Sequence, residues 1–347
     1  MTTPAALTAP VELTEQRLTT AINELRSEWQ QLDPLLAEIA DRLASLVLAG
    51  GKRIRPAMAY WGHVGAGGEP TDPALANLCA AVELLQGFAL FHDDVMDGSE
   101  TRRGKPTVHI IEAQRHEDGN WRGEARRFGE AVAILAGDIS LVVSDVLLAD
   151  APPAVRSLWN DLRVEVNLGQ FLDVVSTARA NISPSTADLI VEYKTARYTI
   201  VRPLQMGAAL AGREDLLPHL AAVGTPLGVA FQLRDDLLGA FGDAEITGKP
   251  VGDDLIEGKP TPLLADARAR ATPDQLTILD HVGSADAQDY IPAIQAALTE
   301  TGAVTATEAR IDTLTDEALA ELASDQLAPA AVEALSSIAT FLAGRTH

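Results

Sequence analysis

Ala81, Leu84, Leu85, Phe88 and His92 recur at helical spacing and carry the chain directly into Asp93-Asp94-Val95-Met96-Asp97. A segment patterned this way is a mostly buried helix whose acidic end lies where an apolar interior meets something polar. Asp93 and Asp97 are four residues apart and project from one face, a turn apart, whereas Asp94 is offset and better placed to support them. Stacked carboxylates repel unless a cation lies between them. Mg²⁺ suits that position, because it takes carboxylate oxygens while keeping sites open for phosphates. Taken alone, DDxxD reads at least as well as a solvated acidic helix face. Arg102-Arg103-Gly104 just beyond it, and Asp235-Asp236 far downstream, favour the metal.

The remainder of the chain suits helices packed around that segment. Aromatic residues are only 4% of 347, and Ala and Leu are abundant, which favours close-packed helices over sheet. We find no internal repeat and no convincing strand hairpin, so the expected fold is all-α, a single-domain helical bundle over 13–347 behind a flexible tail at 1–12. Pro152-Pro153, Pro184 and Pro218 mark helix junctions. Residues 113–130 read as an exposed polar insertion, and Gly239 to Lys259 as an acidic, Gly-rich loop. A net charge of −22 repels nucleic acid and anionic membranes, so an anionic ligand needs local cations or metal. Cys79 is the only cysteine, which rules out an intramolecular disulfide and reads as core packing. No apolar run approaches the roughly 18 residues of a bilayer span. The first dozen residues lack the basic start and apolar block of a signal peptide, so the expected location is cytoplasmic.

Three further constellations carry chemistry. Gly50-Gly51-Lys52-Arg53-Ile54-Arg55-Pro56 sets cations beside glycines that let backbone approach a phosphate, although alone it reads better as an ordinary basic loop, and only the acidic motif tips it toward phosphate. Gln232 and Asp235 are three apart and share a face, and the position four after Asp235 is Gly239, so no third carboxylate stacks there. Lys194-Thr195 adds a cation and a hydroxyl. Lys249 and Lys259 bracket Asp253 and Asp254.

With these motifs in their order (GGKRIRP, FHDDVMD, RRGKPT, LAGD, GQFLD, YKTA, FQLRDD, GKPVGDDLIEGKPT) the chain resembles the trans-isoprenyl diphosphate synthases, the polyprenyl synthetase family, over nearly its whole length. The resemblance implies an isoprenoid-synthase bundle around a central cavity, a likely-sized cluster of Mg²⁺ (three ions) held by Asp93, Asp97 and Asp235, and a homodimer. It implies that Arg102, Lys194, Lys249 and Lys259 bind an allylic diphosphate, and that Lys52, Arg55, Gln86 and Arg103 bind isopentenyl diphosphate. Gln170 and Asp173 would support metal waters and the cavity wall. The Gln232 oxygen and the Thr195 and Lys194 carbonyls would face the carbocation. Gly239 departs from a second DDxxD, and Asp254 would act there through water. An aromatic at Phe88, five before the motif, with small Ala89 four before, resembles the archaeal type of geranylgeranyl diphosphate synthase. That implies a 20-carbon product, with 15 carbons second; should Phe88 not set the limit, Leu84 and Leu85 one turn further down are the first alternatives. On periodicity alone, Phe88 is a core aromatic. A terpene cyclase would not need GGKRIRP, and a silent partner subunit would lose Asp-rich residues kept here.

Overall fold

The computed structural model describes residues 3–179, 183–242, 251–324 and 326–344. Nearly all ordered backbone is helical. Several helices begin where a side-chain acceptor precedes a proline, which satisfies free N–H groups and presets the first turn. Asp33 caps α2 (Pro34–Val47), Asp72 caps α4 (Pro73–Met96) and Ser183 caps α8 (Pro184–Ile190), each accepting from a first-turn N–H. The remaining helices up to the second acidic motif are α1 (Thr8–Leu32), α3 (Ile54–Gly65), α5 (Val108–Asp118), α6 (Ala125–Leu147), α7 (Pro153–Arg179), α9 (Arg202–Leu210) and α10 (Leu217–Phe241).

Helix α4 is apolar on almost every side and packs against α1, α3 and α6, as a helix with no polar stripe must. It and Glu214–Phe241 are long and apolar enough to cross a membrane by length and composition, which the sequence reading did not anticipate. Their most apolar windows are 72% and 50% buried within the fold, where they serve as core. Cys79 is fully buried, and desolvation pushes its thiol up to about 12, in keeping with packing rather than reactivity.

Glycines set the closest helix contacts. A Cβ on Gly62 would lie 2.3 Å from the Leu204 carbonyl oxygen, and one on Gly207 would lie 2.1 Å from that of Ala59, so α3 and α9 touch backbone to backbone. Between α8 and α9 the chain forms a π-helix, Val191–Val201, in which the Arg202 N–H closes back on the Arg197 carbonyl. Gly169 of α7 and Gly228 of α10 clasp it, with hypothetical Cβ atoms 2.5 Å from Lys194 N and 2.5 Å from Ala196 Cα. This wide turn, of a kind that concentrates at functional sites, carries Lys194, Thr195 and Tyr198.

Three local expectations need correction. Residues 3–12 are not a loose tail: a 3₁₀ turn forms at Ala5–Leu7, α1 starts at Thr8, and Leu7 is 2% exposed in the core. Leu7 and Pro10 bury their side chains, a tertiary gain that a short apolar-polar mixture does not advertise. The stretch 113–130 is no insertion, because α5 runs to Asp118 and α6 starts at Ala125, joined over a His116–Trp121–Phe128 cluster. A small hairpin also exists, Thr101–Arg102 pairing antiparallel with Lys105–Pro106. Its two turn residues, Arg103 (φ 54°) and Gly104 (φ 71°), both have positive φ, as a tight two-residue hairpin requires. Arginine is an unusual choice there. Its guanidinium donates to the Gly50 carbonyl, which helps offset a left-handed backbone cost of about 1–2 kcal/mol.

Candidate active site

The C-terminal halves of α4 and α10 and the π-helix enclose a cavity of about 530 Å³. Its wall brings together Lys52, Arg55, Gln86, Phe88, Ala89, Asp93 and Arg102 from the first third of the chain. From later segments it adds Gln170, Asp173, Lys194, Thr195, Gln232, Asp235 and Lys259. Asp97 and Arg103 lie outside that wall: Asp97 caps the exposed end of α4, and Arg103 packs over the Gly50–Gly51 loop. Lys249 falls outside the described residues. Leu84 and Leu85 are fully buried behind the wall and do not line it, because at their turn α4 is enclosed by neighbouring helices.

Acidic groups at the C-terminal end of a helix add to its negative pole, so the end of α4 favours a cation twice over. Asp93 accepts from Gln170 Nε2 (3.0 Å), Lys194 Nζ (3.4 Å) and Arg102 Nη2 (3.5 Å). Burial opposes its ionisation, but Lys194 and then Arg102 outweigh that and hold the carboxyl below the usual range. Asp97 behaves oppositely. Although it sits on the rim, the protein around its carboxyl removes part of its solvation, and the Asp93 charge adds to this, raising it to about 7. Asp94 accepts from Arg102 Nε at 2.6 Å, the supporting position its offset predicts. Lys194 also donates to Asp173; burial works against its charge, but Asp93 and Asp173 raise its pKa.

A raised carboxyl has a testable consequence. Below about pH 7 a cation must displace a proton from Asp97, and a group whose folded pKa lies above its unfolded value makes the metal-free fold lose stability as pH rises through that range. The rise in melting temperature produced by Mg²⁺ should therefore be larger at pH 8 than at pH 6. Equal shifts at both values would remove Asp97 from the metal site.

The second acidic site is organised differently from its sequence pattern. Gln232 Nε2 donates to Asp236 Oδ1 (2.7 Å), four residues on, and its oxygen accepts from Thr195 Oγ1 (2.5 Å). The Gln232 amide is thus engaged by Thr195 and Asp236. The other Asp236 oxygen is buried and has no hydrogen-bond partner among the described residues. Lys259 donates to Asp254 (3.1 Å) and pairs with Glu257 (2.8 Å); burial opposes its charge, yet Asp254 and Glu257 raise its pKa well above normal. An all-carboxylate donor set with an orphaned buried oxygen fits a hard cation such as Mg²⁺.

On the basic side, Arg53 turns inward. It is 3% exposed and its guanidinium is held by Glu15, Glu83 and the Val47 carbonyl, which fixes its left-handed backbone (φ 50°) at the start of α3. Lys52 and Arg55 reach the cavity instead. Arg55 lies 4.3 Å from the Tyr198 ring, and its buried Nε has no hydrogen-bond partner among the described residues. Tyr198 in turn donates to the Gln86 oxygen at 2.7 Å, which fixes that amide with its NH₂ as the remaining donor. Sequence reasoning did not assign Tyr198 a part. Its place three residues past Thr195 gives no signal unless the π-turn is known.

Similarity to known proteins agrees with this geometry. Residues 35–299 match the family model described as Polyprenyl synthetase. The chain belongs to the polyprenyl synthetase family. It is 34% identical over 257 residues to the short chain isoprenyl diphosphate synthase of Methanothermobacter thermautotrophicus, covering 72% of this chain and 73% of that one. It is 30% identical over 284 residues to the geranylfarnesyl diphosphate synthase of Aeropyrum pernix, covering 78% and 83%. The crystal structure of geranylgeranyl pyrophosphate synthase from Corynebacterium glutamicum, complexed with isoprenyl diphosphate and magnesium, superposes with a TM-score of 0.93. It is 38% identical and covers 98% of this chain and 99% of that one. This polyprenyl synthetase is therefore a prenyltransferase of the trans type, with the isoprenoid-synthase helical fold.

Proposed function

We propose that the protein condenses isopentenyl diphosphate with an allylic diphosphate in an Mg²⁺-dependent, head-to-tail trans reaction, and that its principal product is geranylgeranyl diphosphate. The observation that carries this reading is one cavity whose wall combines Asp93 of α4 and Asp235 of α10 with the cations Lys52, Arg55, Arg102, Lys194 and Lys259 and with the apolar Phe88. The magnesium and isoprenyl diphosphate of the Corynebacterium glutamicum structure support the same ligands here. Farnesyl diphosphate is the second reading, since relatives carry names for several chain lengths.

Asp93, Asp97 and Asp235 would hold the metal. Bound there, Mg²⁺ stabilises the charge that builds on a departing diphosphate. Lys194, Arg102 and Lys259 orient that allylic diphosphate and neutralise part of its charge, as fixed cations do best in a water-poor site. Phe88, Ala89, Val166 and Ile190 supply apolar wall along the hydrocarbon and exclude water that would quench a carbocation. Lys52, Arg55 and Gln86 hold isopentenyl diphosphate so that its double bond faces the new cation. The expelled diphosphate is the base for the last proton. Incubating purified protein with Mg²⁺, labelled isopentenyl diphosphate and dimethylallyl, geranyl or farnesyl diphosphate tests the whole scheme. No elongation from any starter would overturn it.

Assignment of the two diphosphates has its own check. Arg55→Ala removes a charge-assisted donor, a type of bond contributing about 1.5–3 kcal/mol, so the KM for isopentenyl diphosphate should rise roughly tenfold to a hundredfold. The allylic KM should change far less. The reverse pattern would mean that this loop serves the allylic substrate.

The same reading includes a homodimer. Leu135, Val142 and Val146 form one exposed apolar stripe on α6, and Val164, Leu168 and Phe171 form another on α7, each more than half exposed. Asp145 ties the two helices together by accepting from Trp159 and Arg163. Charges at Val142→Asp and Leu168→Asp together should convert a dimer to a monomer in sedimentation velocity at micromolar protein. A doubly substituted protein that still sediments as a dimer would place the interface elsewhere.

A further inference from the structure

In α10, Gly239 stands one turn beyond Asp235, the position at which a second carboxylate would stack as Asp97 does beyond Asp93. That space is filled. A Cβ built on Gly239 would lie 1.8 Å from Asp254 Oδ2 and 2.5 Å from its Cγ. The Asp254 carboxylate thus lies directly against the α10 backbone, delivered from the short helix Asp253–Ile256 and steadied by Lys259. A second observation points to a ligand at the same place. Asp236 is 3% exposed and lines the same cavity as Asp235 and Asp254, and its Oδ2 has no hydrogen-bond partner among the described residues. Asp235, Asp236 and Asp254 share that cavity wall, and a cation among them would relieve the repulsion of like charges.

We propose that Asp254 is a direct metal-binding carboxylate of the second acidic site, occupying the position one turn beyond Asp235, and that Gly239 is the residue that admits it. This rests on the prenyl-transfer reading and replaces the expected water-mediated role of Asp254 with direct ligation. The missing third carboxylate of the motif is supplied from a different segment of the chain. Any side chain at 239 displaces it.

The test uses the full chain with Mn²⁺ as a paramagnetic probe in the presence of inorganic diphosphate, with bound Mn²⁺ followed by electron paramagnetic resonance and folding by circular dichroism. Asp254→Asn should weaken Mn²⁺ at one site about tenfold or more, the scale on which outer groups already tune metal affinity. Gly239→Ala, which suits a helix better than glycine, should fold and produce the same loss by expelling Asp254. Combining Gly239→Asp with Asp254→Ser should regain most of the affinity. Wild-type binding in Asp254→Asn, or in Gly239→Ala, overturns the proposal, as does a folded double variant with no regain. Failure of the prenyl-transfer reading is separable: it would show as a wild-type protein that binds Mn²⁺ and diphosphate but elongates no starter.

Discussion

Asp93→Ala should lower kcat at least about a hundredfold, a loss of ~2.7 kcal/mol of transition-state stabilisation typical of deleting one preorganised electrostatic group. The fold should survive. Lys194 keeps Asp173, Arg102 keeps Asp94, and no apolar packing is removed, so neither half-buried cation is left without a carboxylate. The substitution also removes the neighbouring charge that helps raise Asp97, which should bring that carboxyl down. Steady-state rates at saturating Mg²⁺ and substrate, beside a thermal melt, separate the two effects. Full turnover by the variant, or by wild-type protein in excess chelator, would refute metal-assisted ionisation at this site.

Phe88→Ala should shift the product distribution beyond 20 carbons. A tail growing away from a diphosphate near Asp93 descends alongside α4, and Phe88 lies five residues lower, about 7.5 Å at the helical rise of 1.5 Å per residue. Its ring is 8% exposed and meets His92 edge-on with centroids 4.7 Å apart. His92 is itself fixed, Nε2 lying 3.0 Å from the Ile134 carbonyl and the ring filling a notch that Gly137 leaves open. Phe88 is therefore one half of a braced aromatic couple rather than a lone side chain free to swing away. Removing a buried Phe costs about 3–5 kcal/mol, so the variant should also melt at a lower temperature while retaining active enzyme for product sizing. Chromatography of dephosphorylated products gives the answer. Unchanged lengths from an active variant would move the limit to another wall residue, with Val166 and Ile190 next, since Leu84 and Leu85 do not reach the cavity.

Much of the fold follows from short-range patterns. Apolar spacing in Ala81–His92 marks α4, the Asp–Pro and Ser–Pro pairs mark helix starts, and scarce aromatics with abundant Ala and Leu favour a helical bundle. The acidic and basic motifs were legible because their chemistry is carried by side-chain type and by three- or four-residue spacing, which a helix converts directly into a shared face. Local pattern failed where stability came from elsewhere in the chain. Leu7 and Pro10 are ordered by the core they enter, and the 113–130 stretch is held by an aromatic cluster across its turn. Arg103 adopts a costly turn conformation with a carbonyl acceptor from Gly50, far back in the sequence.

What the sequence by itself determined is the set of charged groups and the helices that present them. Tertiary structure decided which of those groups meet. Of the cations in GGKRIRP, Arg53 is spent on Glu15 and Glu83 while Lys52 and Arg55 face the cavity, a division set by the left-handed turn at Arg53. Gln232 answers to Thr195 and Asp236 because the π-turn carries Thr195 toward α10. Gly239, a gap in the linear motif, is filled in space by Asp254. Spacing along one helix fixes direction to within a face, but contact between segments depends on how closely backbones approach, and glycines at 169 and 228 set that distance only once the helices are packed.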